Sequence, residues 1–113
     1  MYLIDADTLQ TGDIILITWE DRKSHTIRKL SLSQSDYSHA MIYVGGHSFI
    51  HSSLEGVEAS NSQRFLLDSP DQAAVYRCPS AMPEQIDEII HFARSKVGAV
   101  TIFSLLRRWK NIC

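Results

Sequence analysis

Cysteine is scarce in this chain. Its 113 residues hold two, Cys78 and Cys113. Two distant cysteines do not make the disulfide framework of a small secreted domain, and they are equally compatible with a reducing compartment. Excess charge is also missing. A formal net charge of −2 gives no electrostatic reason to expect a nucleic-acid partner. No apolar run approaches the roughly 20 residues that would span a bilayer, so no transmembrane segment is expected. The opening stretch, MYLIDADTLQTGD, has no basic region and meets Asp5 and Asp7 at once. It does not read as a signal peptide, and the expected location is the cytoplasm, or the exterior by a non-classical route. Internal repeats, low-complexity tracts and interdomain linkers are absent. What is present is an ordinary globular composition, 44% hydrophobic and 21% charged. That is enough for one core and leaves no room for a second, so residues 1–113 are expected to form a single domain.

The order of local signals is α+β. DIILITW (Asp13–Trp19) follows Thr11-Gly12, is apolar almost throughout and reads as a buried strand. Glu20–Asp36 is polar and basic and reads as a loop with at most one helical turn. SHAMIYV and HSFIHS are two strands joined across Gly45-Gly46, a hairpin signal. Gly56–Ala59 is a short extended piece. Ser60 followed by Gln63 fits a capping box opening a short helix, and Ala73–Cys78 is a further strand stopped by Pro79.

The strongest periodicity lies in PEQIDEIIHFARSKVG. Ile86, Ile89, Ile90, Ala93 and Val97 form one apolar helix face. Pro83 suits the first turn and Gly98 the C-terminal cap. Glu84 and Asp87 lie near the positive end of the helix and Lys96 near the negative end. The following TIFSLLRRWKN predicts a second helix with Ile102, Leu105, Leu106 and Trp109 inward and Arg107, Arg108 and Lys110 in water.

The hairpin holds three of the five histidines: His39, His47 and His51. Side chains alternate along a strand, so the turn decides which of them share a face. A strict two-residue loop at Gly45-Gly46 would send His39 and His51 to opposite faces. An odd loop with a glycine bulge, pairing Tyr43 with His47, would set His39 directly opposite His51, their β-carbons about 5 Å apart. His39, Met41, Tyr43, His47, Phe49 and His51 would then share one face, as the floor of a site. Ala40, Ile42, Val44, Ser48, Ile50 and Ser52 would form the core face. Three readings of the imidazoles stay open. They are satisfied structural residues; they ligate zinc, against which stands the lack of a nearby Cys or carboxylate to complete the set; or they activate a cysteine thiol, one as base and the other orienting it.

TGDIIL, SHAMIYVG, FIHSSLEGV and VYRC, in that order, resemble the permuted papain-fold cysteine hydrolases. These include the YiiX-like and NlpC-type cell-wall peptidases and the lecithin–retinol acyltransferase-like enzymes. The resemblance runs over most of the chain. It implies an α+β fold, an antiparallel sheet with helices packed on it, and a cysteine-bearing segment docked on the histidine face. It places the general base at His39, the orienting residue at His51 and the nucleophile at Cys113, with Cys78 a buried strand end. A histidine at position 51 is similar to the acyltransferase-like branch. In the family the cysteine opens a helix whose N-terminus lowers the thiol pKa. Here the α-carboxylate of Cys113 stands in that place and opposes the effect. Three explanations stay open: a longer parent protein, an incomplete site, or a different nucleophile.

The resemblance implies a peptidase or amidase acting through an acyl-cysteine, without cofactor or metal, on a peptide, peptidoglycan-stem or acyl-lipid substrate. A lipid acyltransferase is the variant within the same chemistry. The alternative class is a catalytically inactive binding or interaction module of the same fold.

Overall fold

The computed structural model describes residues 2–18, 39–53, 56–99 and 103–113. The expected loop at Glu20–Asp36 lies outside the described residues. Among the described residues there are seven strands: β1 (Tyr2–Leu3), β2 (Ile14–Ile17), β3 (His39–Gly45), β4 (Ser48–Ser53), β5 (Gly56–Asn61), β6 (Leu66–Leu67) and β7 (Ala73–Tyr76). Two helices follow, α1 (Pro83–Ser95) and α2 (Phe103–Ile112). The main sheet is antiparallel with strand order β5-β4-β3-β2-β7, and β1 pairs with β6 in a separate two-stranded ladder. The α+β expectation holds: antiparallel sheets with helices packed against them.

Strand alternation divides the core in two. Ile14, Ile42, Val44, Ile50 and Val57 point to one side and pack with Ile89 and Ala93 of α1 and Leu105 of α2. Ile15, Ile17, Met41, Tyr43 and Phe49 point to the other and pack with Ala6, Phe65 and Leu67. The histidine-bearing face, expected from the sequence to be the floor of a site, is thus also a packed second core. Phe49, Met41 and Tyr43 are as thoroughly buried as the aliphatic set opposite.

Helix α1 begins at Pro83, as its periodicity predicts. The Gln85 side chain accepts from the Met82 N–H at 2.8 Å, satisfying one of the donors exposed at the helix start. The apolar face holds at Ile89 and Ala93 but fails at Val97, which is 48% exposed. The helix has ended at Ser95, so its periodicity no longer directs that side chain. In α2, Leu105 is buried and Trp109 partly buried, its indole donating to Gly12 O at 2.9 Å. Arg107, Arg108 and Lys110 are exposed as expected, and Arg108 lies over the Phe92 ring at 3.9 Å.

Two local expectations are corrected. Gly56–Ala59 extends into a full strand ending at Asn61, whose ladder with β4 takes Ser60. The helix expected from Ser60 shrinks to one 3-10 turn, Ser62–Arg64, capped by Asn61. A complete capping box occurs instead at Ser69 and Gln72. Gly56 is demanded by space as well as dihedral. Its φ is +110°, and a Cβ there would lie 2.7 Å from Ala99 O.

Candidate active site

The β3–β4 hairpin turns at Gly46-His47, one residue later than the sequence suggested. Both residues have positive φ, 60° and 61°, the conformation of a tight hairpin turn. The Tyr43 hydroxyl braces the turn by accepting from the His47 N–H at 3.1 Å. Gly45 pairs with Ser48, and the register then shifts so that Tyr43 pairs with Phe49. Val44 is the extra residue of a bulge. That bulge decides the site. The two-residue turn alone would place His39 and His51 on opposite faces; one inserted residue returns them to the same face.

The pairing partners differ from the expected ones. Met41, not His39, stands opposite His51, and Tyr43 faces Phe49 rather than His47. The shift is two residues, which preserves the face. His39 and His51 meet as diagonal neighbours, their rings 4.9 Å apart and inclined at 70°. Phe65 closes over both, its ring centre 6.3 Å from His39 and 5.2 Å from His51.

This surrounding sets the protonation states. Burial among apolar groups disfavours the imidazolium, and the neighbouring His51 adds to the effect, pushing His39 down to about 4. His51 is also lowered by burial, opposed by Glu58 and reinforced by Arg64. His39 is thus neutral near pH 7, the form that can accept a proton. A thiolate facing it would favour its protonated form and restore basicity.

His51 is 5% exposed. Its Nε2 lies 3.2 Å from Glu58 Oε1, the residue opposite it on β5. Neither ring nitrogen has an aligned hydrogen-bond partner among the described residues. Glu58 was not visible as a site residue in the sequence; only the β4–β5 register brings it to His51. His47, at the turn, is directed elsewhere, with Nε2 3.7 Å from Asp7. Among the described residues no group of three or more His, Cys, Asp or Glu is arranged to hold a metal ion.

The cysteines lie away from the imidazoles. Cys78 and Cys113 form a disulfide, with Cα atoms 5.3 Å apart, and Cys78 Sγ also lies 3.4 Å from Ile112 O. The ladders give the separation from His39. Ala73 of β7 is level with Ile17 and His39, and Cys78 is five residues further along. At ~3.3 Å per residue and ~4.8 Å per strand, Cys78 lies roughly 15–20 Å from His39. The structure therefore brings His39 and His51 together and does not bring Cys113 to them. The expected docking of the cysteine-bearing segment on the histidine face is corrected. Leu105 and Trp109 seat α2 against the aliphatic face instead, and the residue that ends the chain goes with it.

A second polar pair escaped the sequence. Asp13, 1% exposed, accepts from Arg77 Nε at 2.9 Å and Nη2 at 2.8 Å, and from Gln10 N–H at 2.8 Å. Arg77 Nη2 also reaches Thr8 O at 3.2 Å. This bidentate pair ties the β2 entrance to the end of β7 and gives the GD dipeptide a structural purpose.

No helix among the described residues is long and apolar enough to cross a membrane. Neither a curated protein nor a solved structure gave a match to the chain. A family model did match, over residues 8–104, a span that includes His39, His51 and Cys78 and ends before Cys113. With most of its length matched, the chain belongs to the permuted papain-like amidase family YaeF/YiiX, the C92 family.

Proposed function

We propose that the chain is a cysteine hydrolase that cleaves an amide bond through an acyl-cysteine, with His39 as general base, His51 orienting it and Cys113 as nucleophile. The observation that carries this is the pair of imidazoles, His51 buried and His39 half-buried, 4.9 Å apart on one sheet face, in a chain of an amidase family. In the first half-reaction the thiol proton passes to His39 and the thiolate attacks the amide carbonyl carbon. Collapse of the tetrahedral intermediate breaks the C–N bond, and the His39 imidazolium protonates the leaving amine. In the second half-reaction His39 takes a proton from water, whose oxygen attacks the thioester. The acid departs and the thiol is restored. The substrate class is a peptide-type amide; a peptidoglycan stem is one such substrate, and an acyl lipid would engage the same chemistry.

Catalysis on this scheme requires the Cys78–Cys113 bridge to be opened by a thiol reductant or a phosphine, and Cys113 to move to the histidine face. Cys78 has no base beside it among the described residues and is taken as a structural residue. A second function, a catalytically inactive binding module, is favoured by one observation: both cysteines are oxidised and stand away from the imidazoles.

The two are separated by iodoacetamide labelling of phosphine-reduced protein across pH, with mass-spectrometric mapping. For the hydrolase, Cys113 labels faster than Cys78 near neutrality, His39→Ala slows it, and His47→Ala leaves it unchanged. In turnover, His39→Ala should lose about 10²–10⁴-fold, the contribution of a positioned general base. Labelling confined to Cys78, or a Cys113 titration indifferent to His39→Ala, would remove the nucleophile assignment.

A further inference from the structure

We infer that Glu58 is a positioning residue: its carboxylate holds His51 in the tautomer protonated at Nε2 and, through His51, fixes the orientation of His39. The inference rests on the assignment of His39 as the base. Three observations carry it. Glu58 Oε1 is 3.2 Å from His51 Nε2. The two residues are direct cross-strand partners on β4 and β5, so backbone pairing as well as side-chain attraction holds them together. Both His51 ring nitrogens are buried without an aligned hydrogen-bond partner among the described residues; of the two, Nε2 is the one that faces the Glu58 carboxylate, which leaves Nδ1 open to a donor.

The chemistry follows from the imidazole's two nitrogens. In the neutral ring one is a donor and the other an acceptor, and the partner of one decides the state of both. A carboxylate can only accept, so it selects Nε2–H and leaves Nδ1 as an acceptor. His39 shares the face, its ring centre 4.9 Å away, and is the imidazole able to donate to that acceptor. A His39 N–H engaged in this way leaves its second nitrogen unprotonated, which is what a base requires. The order Glu58, His51, His39 thus runs from the partly exposed edge strand inward, each group setting the state of the next.

The test is long-range ¹H–¹⁵N correlation spectroscopy of the histidine rings in the full chain, for the native protein, Glu58→Gln and Glu58→Leu. The native His51 should be protonated at Nε2. Glu58→Gln removes the charge but keeps an acceptor oxygen, so the tautomer should persist. The His51 titration midpoint should nevertheless fall, because burial and Arg64, which disfavour the imidazolium, are then opposed only by the Ser52 backbone. Glu58→Leu should convert His51 to a tautomer mixture and shift the His39 ring signals, while His47, on another contact, stays unchanged as a control on folding. His51 protonated at Nδ1 in the native protein, an unchanged midpoint in Glu58→Gln, or an unchanged tautomer in a folded Glu58→Leu would each overturn the inference. The readout is the imidazole itself, so its failure is distinct from failure of the hydrolase proposal, which the labelling of Cys113 decides.

Discussion

The two faces of the main sheet come from the same strands and bury different chemistry. One is aliphatic: Ile14, Ile42, Val44, Ile50 and Val57 meet two helices. The other is aromatic and sulfur-bearing: Met41, Tyr43 and Phe49 meet Phe65, and the same face carries His39 and His51. Because strand side chains alternate, β3 and β4 can donate every second residue to a helix-packed core and the rest to a site. The difference shows in the cysteines as well. The C-terminal helix is drawn to the aliphatic face by its own apolar residues and takes Cys113 to Cys78, while the imidazoles lie on the other side. A hydrolase needs both halves on one side, and this is the point at which the comparison is most easily broken.

Neighbouring residues of β4 test whether the histidine face is a true core. Phe49 and Ile50 are both 0% exposed and point to opposite faces. Phe49→Ala should destabilise by about 3–5 kcal/mol and Ile50→Ala by about 2–5 kcal/mol in urea unfolding, transfer and cavity terms together. Comparable losses would mean that both faces support the fold. A loss at Phe49 below about 1 kcal/mol would mean that the histidine face is an open floor rather than a core. The histidine signals sharpen the contrast: Phe49→Ala should perturb His39 and His51, and Ile50→Ala should leave them alone while the protein is folded.

What the sequence discloses and conceals follows from the range of each interaction. The α1 helix is legible because its periodicity is local, and it breaks down only at Val97, past the last helical turn. The sharing of a face by His39 and His51 is legible in parity but not in detail, since an even shift from one pairing to another leaves the face unchanged. The bulge at Val44 was within reach of the glycine-rich turn next to it. The capping-box signal at Ser60 misleads because ladder pairing with β4 outweighs a local cap, whereas Ser69 and Gln72, free of such a ladder, do form the box. Glu58, the Asp13–Arg77 pair and the Cys78–Cys113 bridge are illegible for one reason: each depends on register or docking between segments distant in the chain.

The bridge gives the next test of the two-sided arrangement. It closes a loop of sequence separation 35, for which the chain-entropy model gives about 4 kcal/mol of stabilisation. Phosphine reduction and Cys78→Ser should therefore lower stability by similar amounts in chemical denaturation. Both should loosen α2 in hydrogen exchange while the β3–β4 hairpin keeps its protection. Equal loss of protection in helix and hairpin would mean that the faces unfold as one unit. No change on reduction would mean that the bridge does not hold the helix side in solution.

The smallest effect is the one most specific to the histidine face. His39 is held near 4 in the folded chain against an ordinary value of 6.5, by burial first and by His51 second. Above pH 6.5 the ring is neutral in both folded and unfolded states, and its contribution to stability is fully present. Between 6.5 and 4 the unfolded chain binds a proton that the folded chain refuses, so stability falls as pH falls. Below 4 both states are protonated and the loss levels off, at about 3 kcal/mol at most. Ordinary carboxylates titrate mainly below about pH 5, so the interval from about 5 to 6.5 isolates the histidines. His51, also lowered, slopes in the same direction. His39→Gln should flatten the stability profile in this interval without abolishing it, and helix-face variants such as Ile50→Val should displace the profile without changing its slope. A profile that rises on acidification would mean that His39 gains a negative partner in solution. A thiolate is such a partner, and the experiment would then be reporting Cys113 arriving at the histidine face. Repeating the profile on reduced protein separates these cases, since only the reduced chain has a thiol to ionise.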